Sequence, residues 1–217
     1  MRIGLSSYHP ISTTTDTETS DDFQLLCHAA VALRQQGVQI HWLSCTDTAE
    51  ALAHDPRLVA TEAQDVPATC RYVVPYQAYR FADIPLMCID SALWQRSDLH
   101  TRLFTLLCLL QRAHPCSMLY VWGTLPVVYL TVYTACFLGV PVVVSYGPPG
   151  LHEAPQQPFL WQWVVQHAGL VLVRTEAEQQ ALRAARDVPA HRVRVVDPTL
   201  PILGATLASL CESLKVR

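Results

Sequence analysis

The chain has 217 residues, enough for one generous domain whose core needs no staple. Half of the residues are hydrophobic, 15% are charged and the net charge is −3, with no lysine before Lys215. This balance excludes the basic surface of a nucleic-acid binder, and no polybasic block marks an anionic-membrane patch. It fits a parallel sheet covered on both faces, or a chain that hides one face against a partner.

In chain order, Arg2–Ser6 (RIGLS) reads as a first strand and Ser12–Ser20 as a polar loop. Asp21 or Asp22 can cap a helix in which Phe23, Leu26, Cys27, Ala30 and Leu33 recur at helical spacing, and Gly37 ends it. VQIHWLS makes a second strand. Shorter patterns predict a helix over Thr48–His54, a strand over Arg71–Pro75 and strand or extended loop over Pro85–Ile89. Asp98 is then expected to cap a helix through Ala113. Its Leu99, Leu103, Phe104, Leu106, Leu107, Leu109 and Leu110 leave it apolar almost all round. Because Arg96, Arg102 and Arg112 form no continuous basic face, the expected cover is the fold itself or a subunit interface.

From Ala113 to Glu153 no Asp, Glu, Lys or Arg intervenes. A run of this length could span a membrane, which needs about 20 apolar residues. Gly123, Pro126, Gly139 and Pro141 instead cut it into strand and helix lengths. Pro126 suits a helix's first turn, Gly139 its C-terminal end, and Pro141 prevents continuation. MLYVW and PVVVSY have the β-branched and aromatic content of buried strands. The run therefore reads as a β-α-β unit with no transmembrane span. A helix over Pro158–His167, a strand at GLVLV, a helix over Glu176–Arg186, a strand over Arg192–Val196 and a helix over Gly204–Leu214 complete the pattern.

This alternation predicts one domain over 1–217: an α/β, Rossmann-like parallel sheet with helices on both faces and right-handed crossovers. Ligands of such sheets bind outside the carboxyl ends of the strands. The expected site loops are Ser6–Thr15, Ser44–Thr48, Trp122–Thr124, Ser145–Gly150 and Arg174–Glu176. In Ser145-Tyr146-Gly147-Pro148-Pro149-Gly150, glycines allow close backbone approach and prolines fix the path, as wall or plain connector. Thr175 can cap the next helix, and Arg174 could reach an anion near its N-terminus. The eight cysteines show no CxxC pair and sit mostly in apolar text, as free thiols do in a reducing cytoplasm. His114-Pro115-Cys116 lacks a second pair at metal-site spacing, so zinc is not expected. MRIGLSSYHP lacks the apolar length of a secretory signal. The expected location is cytoplasmic, with a peripheral place at the inner membrane face kept open.

The order of these signals resembles the N-terminal domain of GT-B glycosyltransferases of family four, the glycogen-synthase-like group. The residues that carry the resemblance are "ALRQQGVQIHWLS", "LLQRAHPCSMLYVWG", "CFLGVPVVVSYG", "HAGLVLVRTEAEQQAL" and "VPAHRVRVVDPTLP". Five short matches in the family's order cover nearly the whole chain. The resemblance implies an acceptor-side domain whose donor half lies in another domain. Three departures accompany it. The loop after the first strand, Ser12 to Glu18, has no glycine and carries carboxylates that would repel a diphosphate. Tyr146 stands where the family has a histidine, and a phenol of ordinary pKa near 10 is a poor base at neutral pH. No two glutamates lie eight apart, as the family's donor side requires.

The resemblance and the edge rule together nominate His9 and Tyr146 as catalytic residues, with His152 as a further loop histidine. Ser6, Ser7, Trp122, Gly123, Thr124, Gly147, Gly150, Arg174, Thr175 and Glu176 are nominated for substrate binding. No metal or cofactor is expected. Three functional readings follow. The chain is the acceptor-binding half of a split or truncated sugar transferase, completed by a donor-domain protein; or a degenerate relative that binds or scaffolds, through a homo-oligomer or partner contact at the Leu99–Leu110 helix. The third is an unrelated Rossmann-like nucleotide-binding enzyme, for which no GxGxxG or GxxxxGK[ST] is present.

Overall fold

The computed structural model of the protein describes residues 1–9, 17–46, 58–61, 66–90, 98–123, 125–145, 158–186, 188–196, 204–207 and 209. Strand β1 (Arg2–His9) extends beyond its expected end at Ser6 because it stays in parallel register with β2 (Gln39–Thr46), from Arg2 opposite Gln39 to His9 opposite Thr46. Ser6, Ser7 and His9 are thus strand residues, not loop residues. Helix α1 (Thr17–Gln35) starts inside the stretch expected as a loop, so Asp21 and Asp22 lie within it and do not cap it. The helix ends as expected. Gly37 takes φ +78°, and the Gly37 and Val38 amides donate to the carbonyls of Arg34 and Leu33.

The next region corrects the sequence reading. Arg71–Pro75 is not a strand: helix α2 (Cys70–Val73) occupies it, with Cys70 and Val74 buried one turn apart. That i,i+4 pair reaches the core, whereas alternation would have pointed one of two neighbouring apolar residues outward. Two strands are unexpected, β3 (Leu58–Ala60) and β4 (Gln77–Phe81); β3 pairs antiparallel with β4, and β4 antiparallel with β5 (Ile84–Asp90). The β4–β5 turn is Ala82-Asp83, both at positive φ (45° and 65°), the handedness that matches the twist of a two-residue hairpin. Neither residue is a glycine, so the usual sequence signal is missing. The expected helix over 48–54 lies outside the described residues.

From residue 98 onward the expected elements are observed: α3 (Leu99–Ala113), β6 (Met118–Trp122), α4 (Leu125–Leu138), β7 (Val142–Ser145), α5 (Pro158–His167), β8 (Leu170–Val173), α6 (Glu176–Arg186) and β9 (Val193–Val195). One start differs. Asp98 makes no side-chain cap; its carboxylate pairs with Arg102, which also donates to the Val73 carbonyl and ties α3 to α2. Within the described part of the charge-free run, β6, α4 and β7 form the expected β-α-β unit, both strands largely buried. Among the described residues no helix is long and apolar enough to cross a membrane.

The sheet order is β3-β4-β5-β2-β1-β6-β7-β8-β9, with β5 to β9 in that order all parallel. One face carries Ile3, Leu5, Ile40, Trp42, Met118 and Tyr120 under Leu26, Ala30 and Leu33 of α1. The other carries Leu43, Met87, Leu119, Val121 and Val144 under α2 to α6. The α3 helix is covered from within the fold: Leu103, Leu106 and Leu107 are buried, and Phe104 meets Tyr133 and Phe137 of α4 edge-on. Residues 204–207 are helical and lie on α1, where a Cβ on Gly204 would come within 3.1 Å of Ala32 Cβ. Of the expected Gly204–Leu214 helix, residue 209 is also helical, and 208 and 210–214 fall outside the described residues.

Candidate functional site

The chain runs from β1 outward through β2 to β5, then crosses back to β6 on the other side of β1. The reversal puts the topological switch point between the carboxyl ends of β1 and β6, the place where open parallel sheets form a ligand crevice because no crossover covers it. Cross-strand register draws the nominated residues to this one edge. Ser7 lies opposite Trp122, Trp122 opposite Ser145, and Ser145 opposite Leu172, just before Arg174. His9 ends β1 beside Thr46 of β2. Gly123 follows β6 at φ +136°, a conformation that a residue with a Cβ strongly resists, so the chain turns here on bare backbone.

The polar groups behind the crevice are tied inward. Ser7 is fully buried, and its hydroxyl accepts a 2.8 Å hydrogen bond from Trp42 Nε1 and faces Ser44 Oγ at 3.4 Å. Trp42 and Ser44, which the sequence reading did not nominate, thus join β2 to the tip of β1. Ser6, the next residue, points to the opposite face by strand alternation and is buried as well. Trp122 is buried, with its ring in the same core as Trp42 and Tyr120. Ser6 and Ser7 are therefore packed strand positions rather than parts of a ligand loop.

At the start of α6, Thr175 and Glu178 form a reciprocal cap. Thr175 Oγ1 accepts from the Glu178 amide at 3.1 Å, while Glu178 Oε2 accepts from the amides of Arg174 and Thr175 at 2.7 and 3.2 Å. The positive end of this helix already holds a carboxylate of its own. Glu178 was legible in the sequence as the last residue of Thr-x-x-Glu, whereas the nominated Glu176 is exposed in the first turn.

Thr124, Tyr146, Gly147, Gly150 and His152 lie outside the described residues, and of His9 only the backbone position is described. Among the described residues no three His, Cys, Asp or Glu side chains cluster as a metal site.

No protein-family model matches the chain, and no curated protein sequence is significantly similar to it. Solved structures do resemble it. UDP-GlcNAc 2-epimerase from Methanocaldococcus jannaschii matches all of the chain with a TM-score of 0.59 at 12% identity, over 52% of its own length. UDP-GlcNAc 2-epimerase from Neisseria meningitidis, bound to UDP-GlcNAc, matches all of it with a TM-score of 0.57 at 14% identity, over 50% of its length. Anabaena Alr3699/HepE, in complex with UDP and glucose, matches 98% of it with a TM-score of 0.52 at 15% identity. The fold is Rossmann-like, of the GT-B type. The chain spans about half the length of these GT-B-type structures, and at such identity the likeness is one of fold.

Proposed function

We propose that this chain is the acceptor-binding half of a GT-B-type sugar transferase, with the sugar acceptor seated in the β1–β6 crevice and the nucleotide-sugar supplied by a second domain. The observation that carries the reading is the extent of the match: all of the chain superposes on about half of sugar-nucleotide proteins, with the switch-point crevice at one sheet edge. In such a transfer the acceptor oxygen attacks the anomeric carbon, the nucleoside diphosphate departs with the bonding pair, and a base takes the hydroxyl proton. We assign that base to His9 at the tip of β1, because an ordinary imidazole titrates near neutrality and a phenol does not. Trp122, Gly123, Thr124, Tyr146, Gly147 and Gly150 would line the acceptor. Arg174 would meet a polar group at the α6 side, with Thr175 and Glu176 beside it.

A second reading, a non-catalytic scaffolding relative, is favoured by one surface feature. On the outer helix layer Phe137 is 67% and Tyr133 43% exposed; Phe104 meets both edge-on, and Tyr133 stacks on Tyr129 and packs against Trp163. Apolar patches of this kind mark contact surfaces. Saturation-transfer NMR on the whole chain, with a panel of oligosaccharides and with UDP, separates the readings. The transferase half is expected to bind a saccharide and lose it in Gly123→Val, with little or no UDP signal. Saccharide silence across the panel sinks the acceptor assignment, and strong UDP binding replaces it with a self-sufficient nucleotide site.

A further inference from the structure

The opposite rim of the sheet, at the amino ends of β1, β2 and β5, carries a second constellation. A polar hollow of about 290 Å³ is lined by Arg2, Arg34, Arg80, His41 and His114, with Asp83 as the one carboxylate among the described lining residues. Among the described lining residues three arginines stand with one aspartate, in a chain whose total charge is −3. The groups are held in place. Gln39 Oε1 accepts from Arg2 Nε and Nη2 at 3.2 and 2.9 Å, and the His41 and His114 rings stack at 4.5 Å. The loop that presents His114 is clamped by Gln111, whose side-chain amide both donates to and accepts from the backbone of Cys116.

This hollow adjoins a narrower apolar slot of about 70 Å³ between the sheet and α3, and the two share His41, Arg80, Pro85 and His114. Leu43, Met87, Leu107, Leu110 and Leu119 give the slot its walls. Gly4 opens it: a Cβ there would lie 2.6 Å from Leu119 Cδ2 and 3.4 Å from Cys116 Sγ. At roughly 15 Å³ for each water-sized space, the slot takes a tail of about four or five carbons. Burial pushes the Cys116 thiol up to about 11 even though Arg2 pulls it down, so the slot stays uncharged beside a cationic mouth.

We infer that this rim is a binding site for a phosphomonoester with a short apolar tail, the phosphate held at Arg2, Arg34 and Arg80 and the tail in the slot over Gly4. A phosphomonoester carries close to two negative charges at neutral pH and accepts the paired hydrogen bonds that guanidinium groups offer. The site lies at the other end of the strands from the β1–β6 crevice and stands whether or not that crevice binds a sugar. The ligand is either a soluble alkyl phosphate or the phosphate head and proximal chain of a lipid.

Isothermal titration of the whole chain at low salt with inorganic phosphate and n-butyl phosphate tests the site. Both should bind, n-butyl phosphate about tenfold or more tighter, since each buried methylene is worth roughly fourfold. Arg34→Gln with Arg80→Gln should weaken both about a hundredfold, at roughly tenfold for each charge-assisted contact. Leu110→Phe, which narrows the slot from its partly exposed wall, should remove the advantage of the butyl group and leave inorganic phosphate unchanged. Butyrate should bind more weakly than n-butyl phosphate. Co-sedimentation with vesicles containing phosphatidate, lost in the arginine double variant, assigns the lipid source; butyl phosphate binding without co-sedimentation assigns the soluble one. Absence of heat with either phosphate at millimolar concentration overturns the site. So does binding that survives loss of both arginines in protein with native circular dichroism. Equal affinity for the two phosphates overturns the slot.

Discussion

The two rims of one sheet are built on opposite plans. At the carboxyl rim two sets of described polar groups are tied up within the fold: the Ser7 hydroxyl is taken by Trp42, and the amides at the start of α6 are taken by Glu178. At the amino rim arginine and histidine side chains converge on an open hollow. The first plan makes a rigid floor, over which bare backbone at Gly123 and the neighbouring loops can meet a ligand. The second makes a charged seat from side chains. The difference teaches that fold rules, which single out the carboxyl rim, locate a crevice without saying where a chain keeps its charge.

Substitutions that unsettle the floor but spare the seat test this contrast. Trp122→Ala should have the largest effect, destabilising the protein by about 3–5 kcal/mol, as for a large buried aromatic. Denaturant melts check it, and a value below 1 kcal/mol would show that the carboxyl rim is not a packed floor. Ser7→Ala leaves the buried Trp42 Nε1 without its acceptor and should cost about 1–3 kcal/mol. Its expected signature is a changed Trp42 indole N–H resonance, and an unmoved one would contradict the inward tie. Thr175→Ala removes half of the reciprocal cap and should cost about 1 kcal/mol, with faster amide exchange at Glu178. At the other rim, Arg34→Gln should change stability by no more than about 0.5 kcal/mol, because its exposed side chain supports no core. A larger loss there would erase the distinction between floor and seat.

Legibility in the sequence follows the same division. The β6-α4-β7 unit was readable because Gly123, Pro126, Gly139 and Pro141 punctuate it and because burial on both faces demands an apolar run. Gly139 indeed takes φ +67° after α4. The strands β3 and β4 were not, and the Ala82-Asp83 turn into β5, whose Pro85–Ile89 stretch was read as strand or extended loop, adopts left-handed backbone without a glycine to announce it. The Thr175–Glu178 cap was present as a four-residue pattern, whereas the bond from Trp42 to Ser7 joins residues 35 apart and has no local sign. The nominated edge residues Ser7, Trp122 and Arg174 come to one rim, but their inward or outward roles depended on which face each strand position took.

By itself, the sequence determined the elements from residue 98 onward, the covered parallel sheet and the absence of charge from its middle. Hydrophobic period and turn residues act over a few positions and need no distant partner to be read. Only the tertiary structure decided that β1 lies between β2 and β6, which makes the crevice. Only it gathered Arg2, Arg34, Arg80, His41 and His114, scattered over more than a hundred positions, around one hollow. Strand order is set by pairing and burial across the whole chain, and no local pattern encodes that sum.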